Sequence, residues 1–166
     1  MEFKAGDHVV HPAYGVGSIL RLEEKQLAEP EMRLYYVLAV EHSTVWVPVK
    51  SNGAIGLRGV TPKKELEQYR RVLSSKPGAL DRDHHKRRFE ISERLKQGSF
   101  QAICEAARDL TAYGWNRPLS DVDASLLQKV RDNLCREWAA AEGVTVAEAT
   151  HEVDDLLLSA RQTYKT

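Results

Sequence analysis

DRDHHKRRFE, Asp81 to Glu90, divides the chain into two kinds of sequence. On its N-terminal side the residues read as short strands and turns with one helix attached, and on its C-terminal side they read as helix. The stretch itself places two histidines, one lysine and two arginines in five consecutive positions, His84 to Arg88, at the expected start of the first long helix. Thr61 to Glu90 carries nine Lys/Arg against five Asp/Glu, and Ile91 to Thr166 carries nine against twelve, in a chain of formal net charge zero. A polyanion is therefore expected to be met locally, at this junction, and not by the whole surface.

Toward the N-terminus, a strand is expected to begin within Phe3 to Val10 after a turn at Gly6-Asp7. His11 to Gly17 breaks it, because proline removes a donor and glycine permits positive φ or close backbone approach. Ser18 to Glu24 reads as a second strand with Ile19 and Leu20 inward, and Lys25 to Glu31 as a polar loop. Met32 to Val40 is the strongest strand signal, followed by a tight turn at Glu41-His42, a strand at Ser43 to Val49 and a short one at Ile55 to Leu57. Five short strands in this space imply a small, curled antiparallel sheet or barrel. Its core is near the minimum size for independent folding. Thr61 reads as a helix cap with Pro62 at the first helical position, and Leu66, Tyr69, Val72 and Leu73 form an apolar stripe. Ser74 to Gly78 reads as a hinge.

Toward the C-terminus, a helix is expected from Asp83 to Gln97, with Phe89, Ile91 and Leu95 buried and Gly98 ending it. Ser99 caps a second over Phe100 to Tyr113. After the Gly114 to Pro118 loop, Ser120 and Asp123 open a third in an arrangement like a capping box. This third helix carries Leu126, Leu127, Val130, Leu134 and Trp138 at helical spacing, and Thr145 with Glu148 boxes a last one over Val146 to Ala160. The expected fold is α+β: a small antiparallel β domain over residues 1–60, a connecting helix and hinge over 61–80, and a compact all-α domain of about four helices over 81–166.

Few residues point to chemistry. GVGS at Gly15 to Ser18 lacks the third glycine of a dinucleotide fingerprint and precedes a strand, so it reads as a structural turn. His8, His11, His84 and His85 have no Cys/Asp/Glu companions at metal spacing, no nucleophile elbow is present, and the paired aspartates read as helix caps and solvated faces. No cofactor, metal or catalytic role is expected. Cys104 and Cys135 lie in helical patterns and read as small hydrophobes. With neither a leader-like start nor a long apolar run, the expectation is a soluble, monomeric cytoplasmic protein.

His84 to Arg88 has two readings. Lys86, Arg87 and Arg88 are solvated side chains of an opening helical turn, where they oppose the macrodipole, or Arg87 and Arg88 reach phosphates. The tryptophans differ in kind: Trp138 lies on an apolar stripe, Trp115 either caps the bundle or offers a contact surface, and Trp46 points outward if Val45 and Val47 point in, or packs in the core in the opposite register. With Tyr35 and Tyr36 on the neighbouring strand, an outward Trp46 suits protein recognition, including the addition of one strand to a partner's sheet.

FKAGDHVVHPAYGVGSI at Phe3 to Ile19, YYVLAV at Tyr35 to Val40, TVWVPV at Thr44 to Val49 and AIGLRGV at Ala54 to Val60 together resemble the N-terminal module of the bacterial CarD/CdnL transcription regulators, which is shared with the transcription-repair coupling factor. The resemblance continues through KRRFE, ARDL at Ala107 to Leu110, the RPLS turn and the final two helices, and so covers essentially the whole chain. It implies a Tudor-like domain that binds the RNA polymerase β subunit and a helical domain that contacts promoter DNA at the upstream edge of the transcription bubble. The outcome is altered open-complex stability without enzymatic activity, in the cytoplasm and on the nucleoid through the polymerase. On the polymerase side it implies Lys25 and Trp46, with Trp46 standing where arginine is frequent, and Tyr35, Tyr36 and Pro48 are expected to join them from the same strand as Trp46 and its neighbour. On the DNA side it implies His84, His85, Lys86, Arg87, Arg88, Lys129 and Arg131. His85 stands in the place of a wedge tryptophan, Arg87 and Arg88 match a phosphate-contacting pair, and Glu90 replaces a frequent basic residue. The competing expectations are a polymerase-bound adaptor whose helical domain recruits another protein through Trp115 and its acidic faces, and a small enzyme built around a cleft.

Overall fold

Alternating strand residues that bury one side chain in two build the first of two compact units, Met1–Val60. The computed structural model describes residues 3–26, 31–49 and 56–166. Within them the strands are β1 (His8–His11), β2 (Gly15–Lys25), β3 (Arg33–Ala39), β4 (Thr44–Pro48) and β5 (Arg58–Gly59). They form one antiparallel sheet in the order β4-β3-β2-β1-β5. The expected small antiparallel sheet is thus present. Its last strand falls at Arg58–Gly59, after the expected Ile55 to Leu57, of which Ile55 lies outside the described residues.

GVGS is structural, as expected. Gly15 closes the β1–β2 turn at φ 77°, where a side chain would be strained. A Cβ on Gly17 would lie 2.7 Å from the Ala39 carbonyl oxygen, so glycine lets β2 approach β3. The His11 imidazole completes the turn, its Nδ1 accepting the backbone N–H groups of Ala13 at 3.0 Å and Tyr14 at 3.3 Å.

Val9, Ile19, Tyr36, Leu38 and Val47 make the core of this unit. Ile19 is inward as expected, but Leu20 is 48% exposed. The β2–β3 register shifts between Ile19 and Arg21, so Leu20 falls in a bulge and the strand's alternation restarts beyond it.

The second unit, Thr61–Thr166, is helical. A 3-10 turn at Lys63–Glu65 leads into α1 (Leu66–Ser74), followed by α2 (His84–Lys96), α3 (Phe100–Tyr113), α4 (Asp121–Glu142) and α5 (Val146–Tyr164). Ser99, Ser120 and Thr145 cap α3, α4 and α5 through their hydroxyls. Gly143 ends α4 at φ 80°.

Thr61 does not cap a helix as expected. Its hydroxyl and its backbone N–H both donate to the buried Glu137 carboxylate, at 2.7 and 3.1 Å, and the chain starts with a 3-10 turn instead. Helix α1 contributes Leu66 and Leu73 to the same core as Ile91, Leu110, Leu134 and Trp138. The Trp138 indole is fully buried, its Nε1 donates to Glu152 at 2.6 Å, and the Arg70 guanidinium lies 5.6 Å from its ring centroid. The segment after α1 is tied down by side chains: Arg108 donates to the Ser75 hydroxyl at 2.9 Å, and the Gly78 N–H donates to Asp109 at 2.8 Å.

Candidate functional site

On β2, Arg21, Glu23 and Lys25 share one face of the sheet. On β4 the same face carries Trp46, because Trp46 pairs with Val37 and Val37 with Arg21. Val47 is buried and Val45 packs on the core, so the period of two turns Trp46 to the opposite face, as the outward reading requires. The Lys25 ammonium sits 4.3 Å from the centre of its ring, and the indole N–H donates to Glu23 at 3.3 Å. That hydrogen bond, aided by Arg21 and Lys25, holds the Glu23 carboxyl below the usual carboxylate range against the opposing effect of burial. Lys25 and Trp46, which are far apart in sequence, are thus brought together. Pro48 lies half-buried on the same strand, opposite Tyr35.

Among the described residues no strand pairs with the far side of β4, which leaves one line of its backbone groups open. Tyr35 and Tyr36, expected beside Trp46 as contact residues, are not surface groups: they are 7% and 4% exposed. Tyr36 belongs to the core, its hydroxyl accepts the Phe3 N–H at 3.0 Å, and its ring meets Phe3 edge-on at 5.9 Å. Tyr35 to Leu38 are all buried, so both faces of β3 are covered.

In the helical unit the basic stretch opens α2. Asp83 caps it, accepting the N–H groups of His85 at 2.9 Å and Lys86 at 3.1 Å. The bond from Lys86, with that from His85 and the nearby imidazoles, draws the Asp83 carboxyl below its ordinary value despite some burial. The anionic cap offsets the cost of gathering cations at a helix N-terminus. His84, His85 and Lys86 are exposed, and the two imidazoles lie 4.0 Å apart centre to centre.

Arg87 does not face solvent as half of a phosphate pair. It is 5% exposed, and its Nε and Nη2 donate to Asp123 Oδ2 at 3.2 and 2.6 Å. Its Nη1 reaches the carbonyls of Asp81 and Arg82 and the Tyr113 hydroxyl, at 3.0, 3.1 and 3.2 Å. The guanidinium also lies 4.5 Å from the Tyr113 ring centre. Burial raises the Asp123 pKa, but the hydrogen bonds from Arg87 and Arg88 outweigh it and hold this carboxyl below its ordinary value. Arg88 is half-buried, donating to Asp123 Oδ1 at 3.2 Å and to the Ser120 hydroxyl at 3.4 Å.

Phe89, expected in the core, is 64% exposed. It stands one turn beyond His85, so the two rings share a face of α2. Lys129 is exposed on α4, whereas Arg131, two positions on, is paired with Asp154 of α5. The expected DNA set therefore separates: His84, His85, Lys86 and Arg88 gather at the start of α2, Arg87 lies beneath them, and Arg131 faces α5. The residue missed from sequence is Asp123, which organises Arg87, Arg88 and the first turn of α4 together. Its acidic side chain at the third position of a serine-capped helix was the available signal.

Among the described residues no group of three His, Cys, Asp or Glu is placed to hold a metal ion, and no helix is long and apolar enough to cross a membrane. Cys104 and Cys135 are both buried, and neither forms a disulfide.

Comparison with known proteins matches residues 3–61 to the CarD-like/TRCF RID domain and residues 69–154 to the CarD C-terminal domain. The putative transcription factor YdeB of Bacillus subtilis (strain 168) is 27% identical over 146 residues, an alignment covering 86% of this chain and 94% of that protein.

Proposed function

Since the chain belongs to the CarD family, a family of non-catalytic transcription regulators that bind RNA polymerase, we propose that it grips the polymerase β subunit with its sheet and touches promoter DNA with the start of α2. The contact lies at the upstream edge of the transcription bubble and modulates open-complex stability. On the polymerase side the reading is supported by the Trp46–Lys25 pair beside the open edge of β4: the edge offers main-chain hydrogen bonds to a partner strand, and the tryptophan offers a large anchor. Lys25 supplies the cation where arginine is frequent at position 46, so one flat, charged patch takes the place of a guanidinium fork.

The observation that carries the DNA side is the make-up of the α2 surface. Lys86 is open to phosphate, Arg88 is half-exposed while held by Asp123, and His85 with Phe89 forms an aromatic face beside them. Phe89 brings the apolar area that an imidazole lacks, and Arg87 holds the turn that presents it. Binding through the sheet raises the effective concentration of DNA at this surface, so a weak contact suffices. On this reading the protein works in the cytoplasm, on the nucleoid, by way of the polymerase.

The test measures open-complex lifetime on a linear promoter with the full-length protein. Phe89→Ala and Arg88→Gln are expected to shorten the lifetime severalfold toward the protein-free value while retaining β-subunit binding, and Trp46→Ala is expected to lose that binding. Lifetimes equal to wild type in both α2 variants would remove the DNA assignment; an adaptor acting only through other proteins would leave the upstream bubble edge unchanged in a footprint.

A further inference from the structure

His84 and His85 stand side by side on the first turn of α2, both exposed, with their ring centres 4.0 Å apart. The other charges of this turn cancel. Across Asp81 to Glu90 the cations Arg82, Lys86, Arg87 and Arg88 are matched by the carboxylates Asp81, Asp83 and Glu90, together with Asp123, which reaches Arg87 and Arg88 from α4. With both imidazoles neutral, the surface offered to DNA therefore carries no net charge; with both protonated, it carries two positive charges. A polyanion is held largely by charge, so the two histidines decide how strongly this turn attracts one.

Of the side chain types present here, only imidazole ordinarily changes its charge between about pH 5 and pH 8. The Asp83 and Asp123 carboxyls are both held below their ordinary value and stay ionised through that window. The rings are exposed, so no element lies over them. From the helices packed behind the turn, α3 brings the Tyr113 hydroxyl and α4 the Asp123 carboxylate, and Arg87 engages both. Asp83, whose carboxylate feels the charge of both rings, is committed to the N–H groups of His85 and Lys86.

Two imidazolium rings this close repel each other, and the positive end of the helix opposes both. A phosphate laid against the pair answers both effects, because it accepts from the ring N–H groups and adds negative charge beside them. DNA thus favours the doubly charged pair more than water does. We infer that DNA contact at the start of α2 is proton-linked: His84 and His85 take up protons from solvent as the phosphate backbone settles on them, and the contact strengthens as the pH falls. This rests on reading the start of α2 as the DNA surface, and it adds the condition under which that surface works.

The experiment measures, by fluorescence anisotropy, the binding of the full-length protein to a labelled duplex with a short single-stranded fork, at several values between about pH 6 and about pH 8. Uptake of one proton strengthens binding about tenfold per pH unit, so the affinity is expected to rise about tenfold or more across the range as the pH is lowered. The double variant His84→Gln/His85→Gln, altered at two exposed positions, is expected to bind equally at both ends of the range, at the level of the native protein at the alkaline end. His151→Gln, on α5, is expected to keep the full dependence. A dependence retained in the double variant, or absent from the native protein, would overturn the inference. Arg88→Gln and Phe89→Ala separate that failure from failure of the underlying reading. Both weaken binding at every pH when the start of α2 holds DNA; unchanged binding in both would remove the DNA surface and the proton linkage with it.

Discussion

Arg87 and Arg88 are neighbours of one type, yet one lies beneath the surface and the other on it. The reason is helical phase: Ile91 is buried, and the position one turn before it is Arg87, so the inward stripe of α2 begins with a guanidinium. Phe89 is two positions from Ile91 and cannot share its face. Residue type alone points Phe89 inward, but spacing decides burial, and nothing in one sequence signals that Asp123, 36 positions on, will neutralise Arg87. Within a buried pair, removing one partner strands the other's charge, so Asp123→Asn is expected to cost about 3–5 kcal/mol at neutral pH, read by urea denaturation. Because the Asp123 pKa is lowered in the fold, its contribution is fully present above the ordinary carboxylate value and is lost as pH falls through the lowered folded value. Wild type and variant should therefore converge in stability under strongly acid conditions.

At the level of elements, the boundaries that were legible are those written in caps and glycines: Ser99, Ser120, Thr145, Gly98 and Gly143 stand where helices start or stop. The start of α1 was misread because Thr61 spends its hydroxyl on Glu137, a tertiary contact that competes with local capping. The β1–β2 turn depends on a neutral imidazole, since His11 Nδ1 is an acceptor there and burial lowers its pKa. A depressed histidine pKa means that protonation favours the unfolded chain. Stability from this turn is therefore kept above the ordinary value of 6.5 and is lost as pH falls from there through the folded value. A histidine NMR titration is expected to place His11 below 6.5, and His11→Asn is expected to flatten the loss of sheet stability between neutral and mildly acid pH. An ordinary His11 titration would remove this account.

For the molecule as a whole, the two units have separate cores, a small one around Val9, Tyr36 and Leu38 and a larger one around Trp138. The switch from alternating to helical spacing was legible, but the sequence reads α1 as a connector before a hinge, whereas its Leu66 and Leu73 pack in the helical core. Which surface side chains gather in each unit was not legible, because it depends on register and helix phase. Scanning calorimetry is expected to separate the cores by mutation. Gly17→Ala, which drives a methyl into the Ala39 carbonyl, should cost about 1–3 kcal/mol and lower the transition of the sheet unit alone. Trp138→Ala should cost about 3–5 kcal/mol and lower that of the helical unit alone. A single transition shifted equally by both variants would count against independent cores.

The sequestered guanidinium of Arg87 also sets how the protein should respond to ionic strength. Each cation that replaces condensed counterions on duplex DNA steepens the logarithmic dependence of affinity on salt by about 0.9. A reader counting basic letters in KRR would budget three such releases from this turn, whereas Lys86 is exposed, Arg88 is half-buried against Asp123 and Arg87 is buried. Neutralising Lys86 should flatten that dependence by roughly one ion, and neutralising Arg88, whose charge Asp123 partly meets, by less. Substituting Arg87 should leave the slope almost untouched and lower the affinity at every salt concentration alike.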